Sequence, residues 1–194
     1  MDPGSGALNP APGLVRYAAA RDEPWRNGRG TTRQLHPAPG TEAGDGWRVS
    51  VAALAEAGEF SAFPGVDRVF TPVDAPVDLT VDGRTTRVAP GVPVRFTGEA
   101  AVVAELPAGP TRAVNVMAER ARCRVDVTVR VVGDPVGEVL VPATALVLLD
   151  GEGAAVGGEE VGVLDLVRGP ARCRGTVLEI VATTVGAGED GRGT

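Results

Sequence analysis

Apolar and polar residues alternate along most of the chain, and a period of two marks strands with one buried face. "RCRVDVTVRVV", residues 122–132, shows the pattern most plainly. Cys123, Val125, Val127, Val129 and Val131 share one face, and Arg124, Asp126, Thr128 and Arg130 the other. "WRVSVAAL" (47–54) likewise sets Trp47, Val49 and Val51 against Arg48 and Ser50. In "VDLTVDGRTTRV" (77–88) the strand-like Val77, Leu79 and Val81 run into Asp82-Gly83, a type I′ hairpin signal. Further strand-like segments follow at 144–156, 159–167 and 175–185, separated by Gly-rich turns. A second Asp-Gly pair, Asp150-Gly151, predicts a second hairpin and gives the two halves of the chain a loose echo of each other. Only "ALAEAGEFSAF" (53–63) has room for a helical turn, and Gly58 argues against a long helix there. Many short strands at this spacing predict an all-β sandwich or barrel. The Gly-, Pro- and charge-rich ends, 1–12 and 187–194, are read as loose tails.

Composition sharpens this picture. The 194 residues suffice for a real core, and with hydrophobics at 43% but aromatics at 4%, Val, Ala and Leu must fill it. A net charge of −6 with no basic run argues against a nucleic-acid partner. No apolar run approaches the roughly 18 residues of a membrane helix, which argues against a membrane partner. The start lacks the basic and apolar stretches of an export signal, so a cytoplasmic protein is expected. Cys123 and Cys173 are then read as small buried hydrophobes.

Much chemistry is excluded by what is missing. The single histidine, His36, precedes Pro37 in a Gly/Pro-rich loop and reads as exposed. There is no HExxH, no paired imidazole and no GxSxG around any serine, so no metal site, no cofactor and no serine triad is expected. "PWRNGRGTTRQL" (24–35) has two glycines around Arg29 but neither the lysine of a Walker loop nor a third glycine for a dinucleotide fold. It reads as a tight loop anchored by Trp25, with Gly28 and Gly30 at positive φ. What remains is a set of arginines and amides beside strands: Arg33, Arg48 with Ser50, Arg68, and Asn115 within the apolar run "AVNVM". Converging guanidinium groups would bind carboxylates bidentately; solvated strand faces with Arg–Asp pairs are the bland alternative.

Taken in order, the loop at 25–33, "WRVSVA", "GEFSAFPGVDRVFT" (58–71), "RFTGEAAVVAEL" (95–106) and "GPTRAVNVM" (109–117) resemble the HutD/Ves family. These are bacterial cupin-fold proteins associated with histidine-utilisation genes or stress responses. The resemblance spans roughly residues 14 to 182. It implies a bicupin, with cupin-like β-barrel (double-stranded β-helix) halves at 13–115 and 116–186 packed as one unit and lacking the usual cupin metal histidines. The family's loop usually reads Asn-Gly-Gly-Gly followed by Thr-Arg-Glu; here Arg29 replaces the middle glycine and Gln34 the glutamate. The family name points to histidine catabolism, whose intermediates urocanate and N-formylglutamate carry carboxylates.

Three readings stand at this point. The leading one is a metal-free cupin that binds a small anionic metabolite in a regulatory or sensing role, as a monomer or a homodimer. Arg33, Arg48 and Arg68 would supply charge, and Asn27, Ser50 and Asn115 orientation. The second is an isomerase or hydrolase with Asp67 or Glu59 as general acid–base. The third is an interaction protein with a filled barrel interior, displaying "VFTPVDAPV" (69–77) as an edge strand.

Overall fold

The computed structural model describes residues 13–25, 28–37, 45–133, 139–151, 154–156 and 159–185. The tails expected at 1–12 and 187–194 lie outside the described residues, as does Asn27. In chain order the strands are β1 (Leu14–Val15), β2 (Asp22–Pro24), β3 (Gly30–His36), β4 (Trp47–Leu54), β5 (Gly58–Glu59), β6 (Val66–Pro72), β7 (Val77–Val81), β8 (Arg84–Val88), β9 (Val94–Thr97) and β10 (Val102–Glu105). They continue as β11 (Thr111–Glu119), β12 (Cys123–Val132), β13 (Val139–Val141), β14 (Ala145–Asp150), β15 (Ala154–Val156), β16 (Glu159–Val161), β17 (Leu166–Arg168), β18 (Ala171–Cys173) and β19 (Gly175–Thr184). Helical structure among the described residues is one 3₁₀ turn, Tyr17–Ala19. It is not in 53–63, where β4 ends and β5 begins.

Every pairing is antiparallel. A four-stranded sheet (β5-β10-β7-β8) and a six-stranded sheet (β2-β3-β4-β11-β6-β9) hold residues 22–119. A five-stranded sheet (β1-β17-β14-β19-β12) and the pairs β13-β18 and β15-β16 hold the rest. The fold is cupin-like, but its strand orders are open, and no sheet hydrogen-bonds back onto its first strand to close a barrel. The boundary expected between residues 115 and 116 falls inside β11; the chain passes between the two groups of sheets at the turn 120–122. Leu14 and Val15 pair with Val167 and Leu166, so these residues form a strand of the far sheet.

Three apolar layers hold the sheets together. Between the two large sheets lie Val49, Val51, Val69, Val114 and Val116 from one side and Val125, Val127, Ala145, Val147, Leu178 and Ile180 from the other. The opposite face of the six-stranded sheet offers Ala52, Leu54, Phe70 and Ala113 to Val77, Leu79, Val88, Val102 and Ala104 of the four-stranded sheet. The opposite face of the five-stranded sheet packs Leu146, Leu148, Val167 and Val177 against Val141, Ala171 and Cys173. Successive residues of β4, β11 and β14 thus enter different layers, and the apolar runs "AVNVM" and "ALVLL" follow from burial on both faces. Cys123 and Cys173 are buried in separate layers, as small hydrophobes.

Several local expectations meet the structure differently. Asp82-Gly83 makes the expected turn, with φ of 47° and 82° and Val81 paired to Arg84. Asp150-Gly151 joins no hairpin among the described residues, where β14 pairs with β17 and β19 and β15 with β16. Asp150 pairs with Thr176, and Gly151 lies against the backbone of Gly175, where a Cβ would stand 2.9 Å from the Gly175 Cα. These glycines permit a close backbone approach instead of a reversal. Residues 69–77 supply no edge strand: β6 lies between β11 and β9, and β7 between β10 and β8. On β12, Cys123, Val125 and Val127 are buried as expected, but Val131 is 75% exposed while Val132 enters the third layer.

Leu178 is fully buried between the large sheets. Leu178→Ala is expected to cost about 2–5 kcal/mol in urea denaturation, and Val131→Thr less than about 0.5 kcal/mol. Equal effects of the two would contradict this layering.

Candidate functional site

The face of the six-stranded sheet that looks toward the four-stranded sheet is apolar at one end and polar at the other. Strand register builds the polar end in rows. Gln34 pairs with Ser50, Ser50 with Asn115, and Asn115 with Phe70. In the next row Met117 stands between Arg48 and Arg68. Directly paired residues project to the same side, so both rows face one space. That space is a cavity of about 530 Å³, roofed by Phe60, Ser61 and Phe63 and bordered by Trp25 and Thr32.

Arg68 sits deepest of the charged groups lining this cavity, 6% exposed. Its Nη2 donates to Asn115 Oδ1 and its Nη1 to the Ser61 carbonyl, both at 3.3 Å, while its Nε–H is buried without a partner. The rings of Phe60, Phe63 and Phe96 surround its guanidinium carbon at 5.1, 5.4 and 5.2 Å. Arg48 lies 4.8 Å over Phe63 and donates from Nε and Nη2 to the Met117 sulfur, at 3.1 and 2.8 Å. Burial, and then the charge of Arg48, draw the Arg68 pKa down to about 10; burial lowers that of Arg48. Both remain cations at neutral pH.

Neither has a carboxylate partner among the described residues, unlike Arg33 with Asp22, Arg87 with Asp78, Arg112 with Asp74, or Arg120 with Asp67 and Glu99. A buried charge without a counter-ion costs several kcal/mol. Ring faces contribute about 0.5–2 kcal/mol each, and thioether sulfur is a weak acceptor. The arrangement therefore holds unused capacity for an anion, which could take charge-assisted bonds from both guanidinium groups at once.

Four of the expected residues, Arg48, Ser50, Arg68 and Asn115, thus meet in one cavity. Arg33 falls between Thr32 and Gln34 and turns to the other face, where Asp22 binds it bidentately and Tyr17 lies beneath it at 4.7 Å. Asp67 is outside the lining, bound by Arg120 at 2.9 Å. Glu59 is exposed at the mouth, in register with Val103 on the outer side of its sheet. His36 is not an exposed loop residue. It is 2% exposed, stacked 4.0 Å from Trp47 and 3.0 Å from Asp45, and burial pushes its pKa down.

Phe60, Phe63 and Met117 were not anticipated as site residues. The spacing of the two rings in "FSAF", directly before Arg68's strand, was the available signal. Trp25 donates to Thr32 Oγ1 at 2.8 Å, anchoring its loop. Gly28 has positive φ, 71°, whereas Gly30 does not; a Cβ at Gly30 would meet the Ala53 carbonyl at 2.4 Å and the Trp25 ring. Arg29 takes no positive φ and reaches across to Ala57 and Gly58, so this loop folds without the family's middle glycine. Gln34 lines the cavity and donates to the Pro37 carbonyl. No group of three or more His, Cys, Asp or Glu stands at metal-binding spacing among the described residues. The matching space in the other half, among Leu146, Leu148, Val161, Val167, Ala171, Cys173 and Val177, is only about 10 Å³.

A family model described as HutD matches residues 17–169. The chain belongs to the HutD family. It is 37% identical over 108 residues to the protein Ves of Citrobacter koseri, and 40% over 108 residues to that of Cronobacter sakazakii. The matched stretch is 54% of this chain and 56% and 59% of those relatives, so the chain spans a little over half their length. An uncharacterized 21.2 kDa protein from the hutC 3′ region of Pseudomonas putida is 36% identical over 97 residues, 48% of this chain and 51% of that one. HutD from Pseudomonas fluorescens SBW25 superposes with a TM-score of 0.73 at 29% identity, over 90% of this chain and 99% of that chain. A conserved protein of unknown function from Pseudomonas aeruginosa PAO1 gives 0.69 at 24% identity, over 87% and 97% of the two chains, a likeness of fold. No helix among the described residues is long and apolar enough to cross a membrane.

Because Arg68 is buried without a counter-ion, Arg68→Met is expected to raise the urea midpoint of unfolding. A fall in the midpoint of the size usual for a core substitution would show that Arg68 is a structural group.

Proposed function

We propose that this HutD-family protein binds a small carboxylate metabolite in the cavity of residues 22–119 and serves as a cytoplasmic binding or sensing protein. The observation that carries the reading is a pair of guanidinium groups, the buried Arg68 and the half-buried Arg48, facing one cavity without a carboxylate partner among the described residues. Asn115, held by Arg68, and Ser50, beside it in register, orient the bound group. Phe60, Phe63 and Trp25 cover its apolar part. Two charge-assisted contacts of about 1.5–3 kcal/mol each bring a preformed pocket to affinities between roughly millimolar and tens of micromolar.

Intermediates of histidine degradation are the first ligands to try, since one relative is a protein of the hutC 3′ region and a similar structure is that of HutD from Pseudomonas fluorescens SBW25. Urocanate and N-formylglutamate both carry the required group. The isomerase or hydrolase reading draws less support, because Asp67 is engaged by Arg120 and Glu59 faces outward. The interaction-protein reading called for a filled interior, and the cavity speaks against it.

Urocanate or N-formylglutamate is expected to raise thermal stability, by about 2.7 kcal/mol at a hundredfold excess over Kd. Arg48→Met should weaken binding tenfold or more, and Arg68→Met should abolish the stabilisation. Unchanged affinity in both variants would overturn this site.

A further inference from the structure

The cavity is electrically polarised from floor to mouth, and this deepens the proposed reading, on which it rests. The floor is cationic and buried: Arg68 and Asn115 are each 6% exposed and Ser50 9%. The mouth carries Glu23, on edge strand β2. Glu23 pairs in register with Thr32, a lining residue, so both project to the cavity side of the sheet. It is exposed and makes no ion pair or hydrogen bond among the described residues, whereas its neighbour Asp22 is fully used by Arg33. Two residues on, the half-buried Trp25 indole also lines the cavity, fixed by its bond to Thr32 and by the close approach of Gly30.

A free carboxylate beside an indole face is a site for an organic cation, since the ring quadrupole and the negative charge act in the same sense. The same carboxylate repels a second negative charge. Glu59 adds negative charge at the mouth but projects with Val103 to the outer side, so the reading falls on Glu23. We propose that the cavity selects a zwitterion: a carboxylate held by Arg48 and Arg68, with a cationic nitrogen at the far end received by Glu23 and Trp25. Dianions of the same length are disfavoured, which ranks urocanate, with its basic imidazole ring, ahead of the dianion N-formylglutamate among the ligands named above.

The test uses three probes of matched length that differ at the far group: valerate (methyl), 4-aminobutyrate (ammonium) and glutarate (carboxylate). Calorimetric titration of the full chain is expected to rank 4-aminobutyrate about fivefold tighter than valerate, the size given by one exposed ion pair and one exposed cation–π contact. Glutarate should bind weakest. Glu23→Gln should cut the advantage of 4-aminobutyrate over valerate to about twofold, the share left to the Trp25 ring, while leaving valerate within twofold of wild type. If valerate binds through Arg68 but the ammonium gives no advantage, or its full advantage survives Glu23→Gln, the zwitterion assignment fails and the carboxylate site stands. If none of the three binds, both fall.

Discussion

The apolar layer between the two large sheets fixes one face of each, and much of the rest of the molecule answers to that burial. Val49, Val51, Val114 and Val116 commit one side of β4 and β11 to the sheet opposite. The other side must then be covered as well, because an open-faced sheet would leave Phe70, Leu54 and their neighbours in water. Once the four-stranded sheet closes over them, polar residues deep on that face are cut off from bulk solvent. A polar side chain there has to be satisfied by protein groups or by a ligand. Arg68 and Asn115 are in that position, and they satisfy each other only in part.

The two halves resolve the same constraint in opposite ways. In the half holding Cys173, the inner face is filled by Leu146, Leu148, Val167 and Val177, leaving about 10 Å³. In the half holding Arg68, the filling stops short and a cavity of about 530 Å³ remains. Aromatic rings, amides and two cations line that cavity where aliphatic side chains would have given a more stable core. Such a concession to function is common where binding groups must be held in place before the ligand arrives. The phenylalanines around Arg68 hold its charge away from water, and a desolvated guanidinium interacts with an incoming anion more strongly than a solvated one.

The fold was legible because period-two alternation in β12, β7 and β4 is unbroken over several residues. Arg48, Ser50, Arg68 and Asn115 could be picked out because each is a polar residue in or beside an apolar strand. Arg33 was misplaced for a reason that is equally physical. A one-residue change of parity sends a strand side chain to the opposite face, and the sequence alone did not say which face of β3 met the cavity. His36 could not be seen to be buried, because its covering group, Trp47, lies eleven positions away across a loop. The second Asp-Gly failed as a hairpin because Gly175, distant in sequence, occupies the space beside Gly151. Local turn chemistry yields there to a tertiary contact.

The most direct measurement is of the Arg68 side chain itself. Its Nε–H is buried and unpartnered, so its ¹H–¹⁵N resonance should be resolved and protected from exchange. Titration with valerate is expected to move that resonance downfield and saturably, together with that of Arg48, as the carboxylate accepts hydrogen bonds from both. Exposed arginines such as Arg84 should not follow. If the Arg68 and Arg48 signals stay fixed while carboxylate binds elsewhere, or does not bind, the cavity is not an anion site.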